Sequence, residues 1–274
     1  MPAYINTNVA SINTVRILDG SQKELTTSME RLSSGKRINH ARDDAAGMAI
    51  SSKMTSQVNG MNQAVRNTND GISMVQTADG AMEGISDKLQ RMRELAVQSA
   101  NGIYSTSDRA ALDIEFQALD DEINRVASSA EFNGTTLLAS TKTLTIQVSY
   151  ADDSTNGKID VDLTKVTSTG LAVATSSIGT QNASSTAIGS VDDALSVINS
   201  ARATLGATQN RLETTVKDLK NNVENLSASR SRIEDADFAS ETAQLAKSQI
   251  LQQAGMAMLA QANQLPQQVL SLLR

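Results

Sequence analysis

The clearest pattern along the chain is a seven-residue repeat of apolar side chains in its second half. Most positions between them are Asn, Asp, Glu, Lys, Ser or Thr, and the repeat consists of Val191, Ile198, Leu205, Leu212, Leu219, Leu226 and Ile233. Arg202 and Arg230 interrupt the second row that accompanies it. A repeat of this length is typical of a long α-helix with one narrow apolar seam. Because each buried Leu or Ile is worth roughly 1.5–3 kcal/mol, this helix needs partner helices.

Two earlier segments predict helices that would supply those partners. Residues 54–96 carry a second seven-spaced row, apolar except at Thr68, in a helix that should begin near Asp43 or Asp44 and end at Gly102. A third helix should begin near Asp108 and be closed by Phe132-Asn133-Gly134. Short turns between helices favour antiparallel neighbours. The three helices together therefore predict a bundle.

A short β-like region separates the third helix from the long repeat. Apolar and polar residues alternate over 144–150 and 159–163, with a turn signal at Asn156-Gly157, which predicts a β-hairpin. Residues 166–190 are rich in Ser, Thr, Gly and Ala and are predicted to be an irregular, exposed connection. The expected fold class is mainly α: a long-helix bundle or coiled coil with a small β-hairpin region and paired terminal helices.

Both ends of the chain carry weak apolar stripes diluted by Gln, Asn and Ser. Neither stripe can bury much surface alone, so we expect disorder in an isolated monomer and order on pairing or on stacking in an assembly. The residues expected to carry this ordering are Ile5, Val9, Ile12, Leu25, Met29, Leu32, Ile250, Leu259, Leu265, Val269, Leu272 and Leu273.

Composition and charge exclude several classes of function. Aromatic residues make up 2% of the chain, there is no Cys, and the net charge is −6. No long basic run is present, so no nucleic-acid partner is expected. No stretch approaches the roughly 20 apolar residues that span a bilayer, so no membrane partner is expected. The first residues lack the charged and apolar regions of a cleaved signal peptide.

The sequence also lacks the residue combinations of an active site. Phosphate-binding glycine loops, H-E-x-x-H and C-x-x-C pairs are all missing. His40 is the single imidazole and is expected to be a solvated linker residue. The acidic cluster Asp120-Asp121-Glu122 is expected on a solvated helix face. We therefore expect a non-enzyme that needs no cofactor and no metal.

Several long stretches closely resemble the signature motifs of bacterial flagellin. They occur in the order of that family and cover roughly the first half and the last third of the chain. The motifs are MERLSSGKRIN at 29–39, RDDAAGMAIS at 42–51, QRMRELAVQSAN at 90–101, FNG at 132–134, SRSRIEDADF at 229–238, QQAG at 252–255 and LLR at 272–274. On these residues the chain is identified as a member of the flagellin family.

The resemblance implies a structural subunit of the bacterial flagellar filament, a helical tube used for motility. In this family the two chain ends pair as an inner coiled-coil layer, here residues 1–39 with 235–274, and residues 40–234 would form the bundle layer outside it. Variable outer domains would fall within residues 140–190, where this sequence has only the hairpin and its connection. The resemblance thus implies a short flagellin with little or no separate outer domain.

The resemblance also implies a route out of the cell and a set of partners. Family members leave unfolded through the flagellar type III export apparatus, without a cleaved signal, so an extracellular filament location is expected. The expected partners are further copies of the chain, the export apparatus, a cytoplasmic chaperone for the C-terminal segment, and the hook-associated and cap proteins.

A further implication concerns immune recognition. In many flagellins part of the second helix and an acidic residue on the third bind the Toll-like receptor for flagellin. The matching residues here are Gln90, Arg91, Leu95 and Glu115. The alternative is that these residues make bundle and subunit-packing contacts. Both readings can hold, because the receptor would use a surface that is buried in the filament.

Two other classes of protein share some of these features. A hook–filament junction protein also has paired termini, but the long match at both ends and the small middle region disfavour it. A cytosolic coiled-coil adaptor needs neither weak termini nor a cysteine-free chain. Self-assembly separates the three classes: unlimited growth on seeds, a limited layer, or a small oligomer.

Overall fold

The computed structural model describes residues 7–151 and 157–272, with side chains described up to residue 264. Within these ranges the chain forms long helices and short antiparallel strands, which confirms the predicted fold class. The helices are α1 (Val9–Ser34), α2 (Ala45–Ala100), α3 (Thr106–Ser129), α4 (Gln181–Glu234) and α5 (Phe238–Leu272). The strands are β1 (Glu131–Phe132), β2 (Thr135–Thr136), β3 (Lys142–Gln147) and β4 (Lys158–Leu163).

The chain divides into two compact units. The terminal unit contains the described residues up to Ser56 and those from Asn225 onward, and the central unit is Gln57–Glu224. The predicted inner layer, 1–39 with 235–274, belongs to the terminal unit as far as it is described. Its assignment to a layer of a filament stays a prediction.

Local capping explains where the helices begin and end. α1 ends at Gly35, whose φ of 72° places it in the left-handed region, and its N–H donates to the Arg31 carbonyl at 2.8 Å. α2 begins after Asp44, whose carboxylate accepts from the Gly47 N–H at 2.8 Å. α3 begins with a capping box in which Ser105 and Asp108 satisfy each other's backbone N–H groups. The predicted helix starts near Asp44 and Asp108 are confirmed.

The core of the central unit lies between α2, α3, α4 and the hairpin. From α4 the first five members of its seven-residue row are buried, which are Val191, Ile198, Leu205, Leu212 and Leu219. The last two members, Leu226 and Ile233, lie in the terminal unit and are half-buried. α2 contributes two fully buried rows, Val75, Met82, Leu89 and Ala96 with Ala78, Ile85 and Met92. Phe116 and Ile123 of α3 close this core.

The predicted hairpin is confirmed as the antiparallel pair β3 and β4. Leu144 lies opposite Val161, and Ile146 opposite Ile159. Of the predicted turn residues, Asn156 lies outside the described residues. Phe132-Asn133-Gly134, predicted to close the third helix, instead lies in a second, smaller hairpin of β1 and β2. Asn133 and Gly134 both have positive φ there, as a tight two-residue hairpin turn requires.

Two glycines allow the β3–β4 region to lie directly on α2. A Cβ atom at Gly60 would overlap Tyr150, and one at Gly71 would overlap the Ile146 side chain. Three helical turns separate the two glycines, so they share one face of α2. The lack of a side chain at these two positions therefore lets the hairpin region pack closely on this face of α2.

The expectation of an irregular, exposed connection over residues 166–190 is wrong in two respects. Helix α4 already begins at Gln181. Before it, Val166, Leu171, Val173 and Ile178 are buried in the central core. These apolar residues follow no regular period, so no helix or strand pattern reveals them.

The expectation of a solvated Asp120 is also wrong. Only 8% of Asp120 is exposed, and its Oδ1 atom has no hydrogen-bond partner among the described residues. Burial raises the pKa of its carboxyl group, and a hydrogen bond from Ser168 opposes that rise only in part. The buried connection covers α3 at this point, since Asn124 bonds Ser168 through its side chain at 2.7 and 3.0 Å.

Replacing Ile123 and Ile114 by Ala on the same helix should separate core packing from surface effects. Ile123→Ala is expected to lower the free energy of unfolding by about 2–5 kcal/mol, because it leaves a cavity in the core. Ile114 is exposed, so Ile114→Ala is expected to change it by at most about 0.5 kcal/mol. Urea unfolding followed by circular dichroism measures both. Equal losses would contradict the described core.

Asp120→Asn should reveal the buried carboxylate through its pH dependence. The carboxyl ionises near pH 3.8 in the unfolded chain and at higher pH in the folded one, so its ionisation disfavours folding above that range. The variant is therefore expected to gain stability over the natural chain at pH 7, and this gain should shrink toward pH 4. Asp121→Asn, at an exposed neighbouring position, is the matched control. A gain that stays constant or grows on acidification would contradict the account.

Candidate self-assembly surface

α1 and α5 form an antiparallel pair in the terminal unit. At one end the Asn8 side chain donates to the Ala262 carbonyl at 2.7 Å. In the middle the Ser21 hydroxyl donates to the Ser248 carbonyl at 3.1 Å. At the other end Arg31 lies 3.7 Å from Glu241 in an ion pair. The two helices therefore run alongside each other over most of their length.

Among the described residues, the seam between α1 and α5 alternates large apolar residues with small or polar ones. On α1 the half-buried Leu18, Leu25 and Leu32 alternate with the buried Ser21 and Ser28. On α5 the inward row runs Leu245, Ser248, Gln252, Gly255, Leu259 and Ala262. The small residues allow a close approach, so that a Cβ on Gly255 would lie 3.2 Å from Leu18 Cδ1. Such a seam removes little apolar surface from water, so it stabilises the pair weakly.

Most of the described large apolar side chains of this pair point away from the seam. Ile12 and Ile250 are 62% and 66% exposed. The same exposed class on α1 contains Val9, Val15, Ile17 and Met29, and on α5 it contains Phe238, Leu251, Met256 and Met258. Exposed apolar side chains concentrated on two neighbouring helices are typical of a protein–protein contact surface.

The structure divides the predicted assembly residues into two groups. Leu25, Leu32 and Leu259 lie in the seam, whereas Val9, Ile12, Met29 and Ile250 are exposed. The sequence pattern merged both groups on α1 into one stripe, although residues such as Ile12 and Leu18, six positions apart, point to different sides of a helix. The remaining predicted side chains lie outside those described, and they are Ile5, Leu265, Val269, Leu272 and Leu273.

The connection after α1 is tied to the end of α4 within the terminal unit. Lys36 Nζ lies 2.5 Å from Glu234 Oε1, and the Ser51 hydroxyl donates to the same carboxylate. Both contacts lower the pKa of Glu234, and the contact with Lys36 has the larger effect. His40, predicted to be a solvated linker residue, has a largely exposed ring whose Nε2 lies 2.8 Å from Glu30 Oε1.

The residues matched to a receptor contact lie on α2 and α3 of the central unit. Gln90, Arg91 and Glu115 are exposed. Arg91 Nε donates to Glu115 Oε1 at 3.0 Å, and its Nη1 donates to Glu94 at 2.9 Å. Leu95 is 1% exposed and belongs to the bundle core. The structure therefore brings Arg91 and Glu115 into contact at the surface, with Gln90 exposed next to Arg91 in the sequence, and receptor binding stays a prediction.

Arg202 has a structural role that the sequence pattern did not reveal. In the sequence Arg202 only interrupts an apolar row. In the structure its Nε donates to Asp79 Oδ1 at 2.7 Å and its Nη2 to Asp79 Oδ2 at 3.3 Å. This bidentate contact joins α4 to α2. Arg230, the other interruption, donates to Thr55 Oγ1 at 3.3 Å in the terminal unit. A charged residue at an otherwise apolar seam position is a signal that can be read from the sequence, because the charge needs a partner on a neighbouring helix.

The described ranges hold no group of three His, Asp or Glu residues that is suited to a metal ion. Within the same ranges, no helix has both the length and the apolar character needed to cross a membrane.

Gly255→Leu should test the close approach of α1 and α5. The larger side chain would meet Leu18 and separate the helices, so backbone amides of both should exchange hydrogen faster. Gly20→Leu is the matched control, because no atom lies within 4 Å of a Cβ at Gly20 and leaving glycine favours a helix by up to about 1 kcal/mol. Hydrogen exchange read by mass spectrometry measures both. Faster exchange in the control alone would contradict the described seam.

Comparison with known proteins adds evidence that is independent of this geometry. Residues 5–143 match the family model of the bacterial flagellin N-terminal helical region, and residues 188–273 match that of the C-terminal helical region. The flagellin of Halalkalibacterium halodurans is 47% identical over 272 residues, covering 98% of this chain and 99% of that protein. The flagellar filament 33 kDa core protein of Treponema phagedenis is 43% identical over 290 residues, covering 98% and 99%.

Two solved structures share the fold of this chain. The crystal structure of Bacillus cereus flagellin is 32% identical, with a TM-score of 0.51 over 60% of this chain and 94% of that chain. A putative flagellar hook-associated protein from Vibrio parahaemolyticus, 13% identical with a TM-score of 0.58, covers 70% of this chain and 100% of its own and shares the fold. With both family regions matched and full-length relatives well above 30% identity, the chain belongs to the bacterial flagellin family.

Proposed function

We propose that this flagellin, a structural subunit of the bacterial flagellar filament, polymerises through the outward apolar side chains of α1 and α5. The observation that carries the proposal is the inverted arrangement of this pair. Ser21, Ser28 and Ser248 are buried, whereas Ile12 and Ile250 are exposed. An arrangement of this kind gains stability when neighbouring copies cover the exposed side chains.

The physical chemistry explains why assembly would be coupled to ordering of the termini. Each large apolar side chain taken out of water contributes roughly 1.5–3 kcal/mol. Contacts between copies therefore supply what the weak α1–α5 seam lacks, and binding stabilises the folded termini by mass action. Contacts that join different surfaces of successive copies need not close into a ring, and they then produce a helical filament.

The finer consequences of family membership follow as parts of the same proposal. The subunit would work outside the cell, after export in an unfolded state through the type III apparatus. A cytoplasmic chaperone would cover the C-terminal segment beforehand, and exposed residues such as Ile250 and Met258 give it an apolar surface to bind. Hook-associated and cap proteins, and the Toll-like receptor for flagellin, would be further partners. Flagellins are structural proteins, which is consistent with a non-enzymatic role.

The test is seeded polymerisation of an Ile12→Ser/Ile250→Ser double variant. On sheared filament seeds the natural chain should grow long filaments, seen by electron microscopy. The variant should leave at least tenfold more protein unpolymerised, because two apolar contacts per copy are lost. Sedimentation measures that concentration, and circular dichroism checks that the helices remain.

Gln253→Ser is the matched control, because it changes an exposed but polar residue of α5 and should polymerise normally. A double variant that polymerises as well as the natural chain would contradict the proposed surface. Small discrete oligomers of the natural chain would indicate an adaptor, and growth that stops after a limited layer would indicate a junction protein.

A further inference from the structure

The methionines of this chain are distributed unequally between its two units. In the terminal unit, Met29, Met256 and Met258 are 58%, 52% and 62% exposed. The methionines of the central unit are all buried, and they are Met61, Met74, Met82 and Met92. The sequence contains no Cys, so methionine supplies all the sulfur of the chain. Among the described residues, the sulfur that lies most open to water therefore belongs to α1 and α5.

The three exposed methionines belong to the outward apolar surface proposed for assembly. Met258 lies about two helical turns from Leu251 on α5, and Met29 lies about four turns from Val15 on α1, so each pair shares one side of its helix. Leu251 and Val15 are exposed as well. Met256 lies two positions before Met258, on another exposed side of α5. A small oxidant and a neighbouring copy of the chain would therefore reach the same side chains.

The chemistry of a thioether makes these side chains sensitive to peroxides. A lone pair of the sulfur forms a bond to one oxygen of hydrogen peroxide, the O–O bond breaks, and the other oxygen leaves as water with both protons. The sulfur is oxidised by two electrons and the peroxide is reduced by two. The product is methionine sulfoxide, in which a flexible apolar side chain has become polar.

From these observations we infer that Met29, Met256 and Met258 are oxidation sites through which a peroxide blocks assembly of the free subunit. The inference rests on the proposed polymerisation through α1 and α5. A neighbouring copy that covers a thioether removes apolar surface from water, which favours assembly. A copy that covers a sulfoxide instead strips water from a polar oxygen, which opposes assembly unless a donor replaces that water.

The first test maps oxidation along the chain. Free subunits and filaments are treated with hydrogen peroxide, and peptide mass spectrometry follows sulfoxide formation at each methionine. In the free subunit Met29, Met256 and Met258 should oxidise several-fold faster than Met82 and Met92, which are 0% exposed. In filaments the three should oxidise several-fold more slowly than in the free subunit, because neighbouring copies cover them.

The second test measures seeded polymerisation after peroxide treatment. Oxidation of the natural subunit should raise the concentration of unpolymerised protein about tenfold. A Met29→Leu/Met256→Leu/Met258→Leu variant should polymerise normally before and after treatment, because Leu is similar in size and apolar but carries no sulfur. Met48→Leu/Met54→Leu is the matched control. It replaces two half-buried methionines of the same unit and should stay as sensitive as the natural chain.

Methionine sulfoxide reductases give a further check, because they convert the sulfoxide back to the thioether. Treatment of the oxidised subunit with reductases for both sulfoxide epimers should restore polymerisation. The inference would be overturned if the triple Leu variant lost polymerisation as the natural chain does, or if the control variant were equally protected. Equal oxidation of the three sites in free subunits and filaments would also overturn it. These results leave the proposed function standing, whereas failure of the untreated natural chain to form filaments would overturn both.

Discussion

The weak seam between α1 and α5 is the constraint on which the stability of the terminal unit depends. Ser21, Ser28 and Ser248 bring the two helices close together, but they remove little apolar surface from water. The Leu residues that alternate with them are only half-buried. Large apolar side chains such as Ile12 and Ile250 are left on the outside. We expect a pair built in this way to be only weakly stable until something covers its outer surface, and further copies of the same chain are the proposed cover.

In the central unit, unlike in the α1–α5 pair, the apolar rows face inward. Leu89 of α2, Ile123 of α3 and Ile198 of α4 are fully buried in a single core. We expect this unit to hold its shape without neighbours, because most of its large apolar side chains already lie in that core. The account therefore predicts that one chain combines a bundle stable on its own with a helix pair that is ordered fully only on assembly. That combination suits a subunit which should stay unpolymerised until it meets a growing end.

The amino-acid sequence predicted the central unit well, because regular periods and caps belong to single helices. The seven-residue rows, the cap at Asp108 and the β3–β4 hairpin can all be read from the sequence without a structure. The buried connection before α4 was not predictable in this way, since Leu171 and Ile178 follow no period. The burial of Asp120 was not predictable for the same reason, because the residues that cover it come from that connection.

The terminal unit was only partly predictable, for a different physical reason. Hydrophobic patterning assigns apolar residues to the inside of one chain, whereas here residues such as Val9 and Met29 are exposed in the single chain. Their cover, in the proposed filament, belongs to other copies and leaves no separate mark in the pattern. The resemblance to flagellins supplied the role of these residues, and the structure supplied the direction in which each one points.

Hydrogen exchange of the free subunit and of its filament tests the central claim most directly. Amide protection reports how often each helix opens. The account predicts that α1 and α5 are weakly protected in the free subunit and become about as protected as α2 and α4 in the filament. Strong protection of α1 and α5 already in the free subunit, unchanged by assembly, would contradict it.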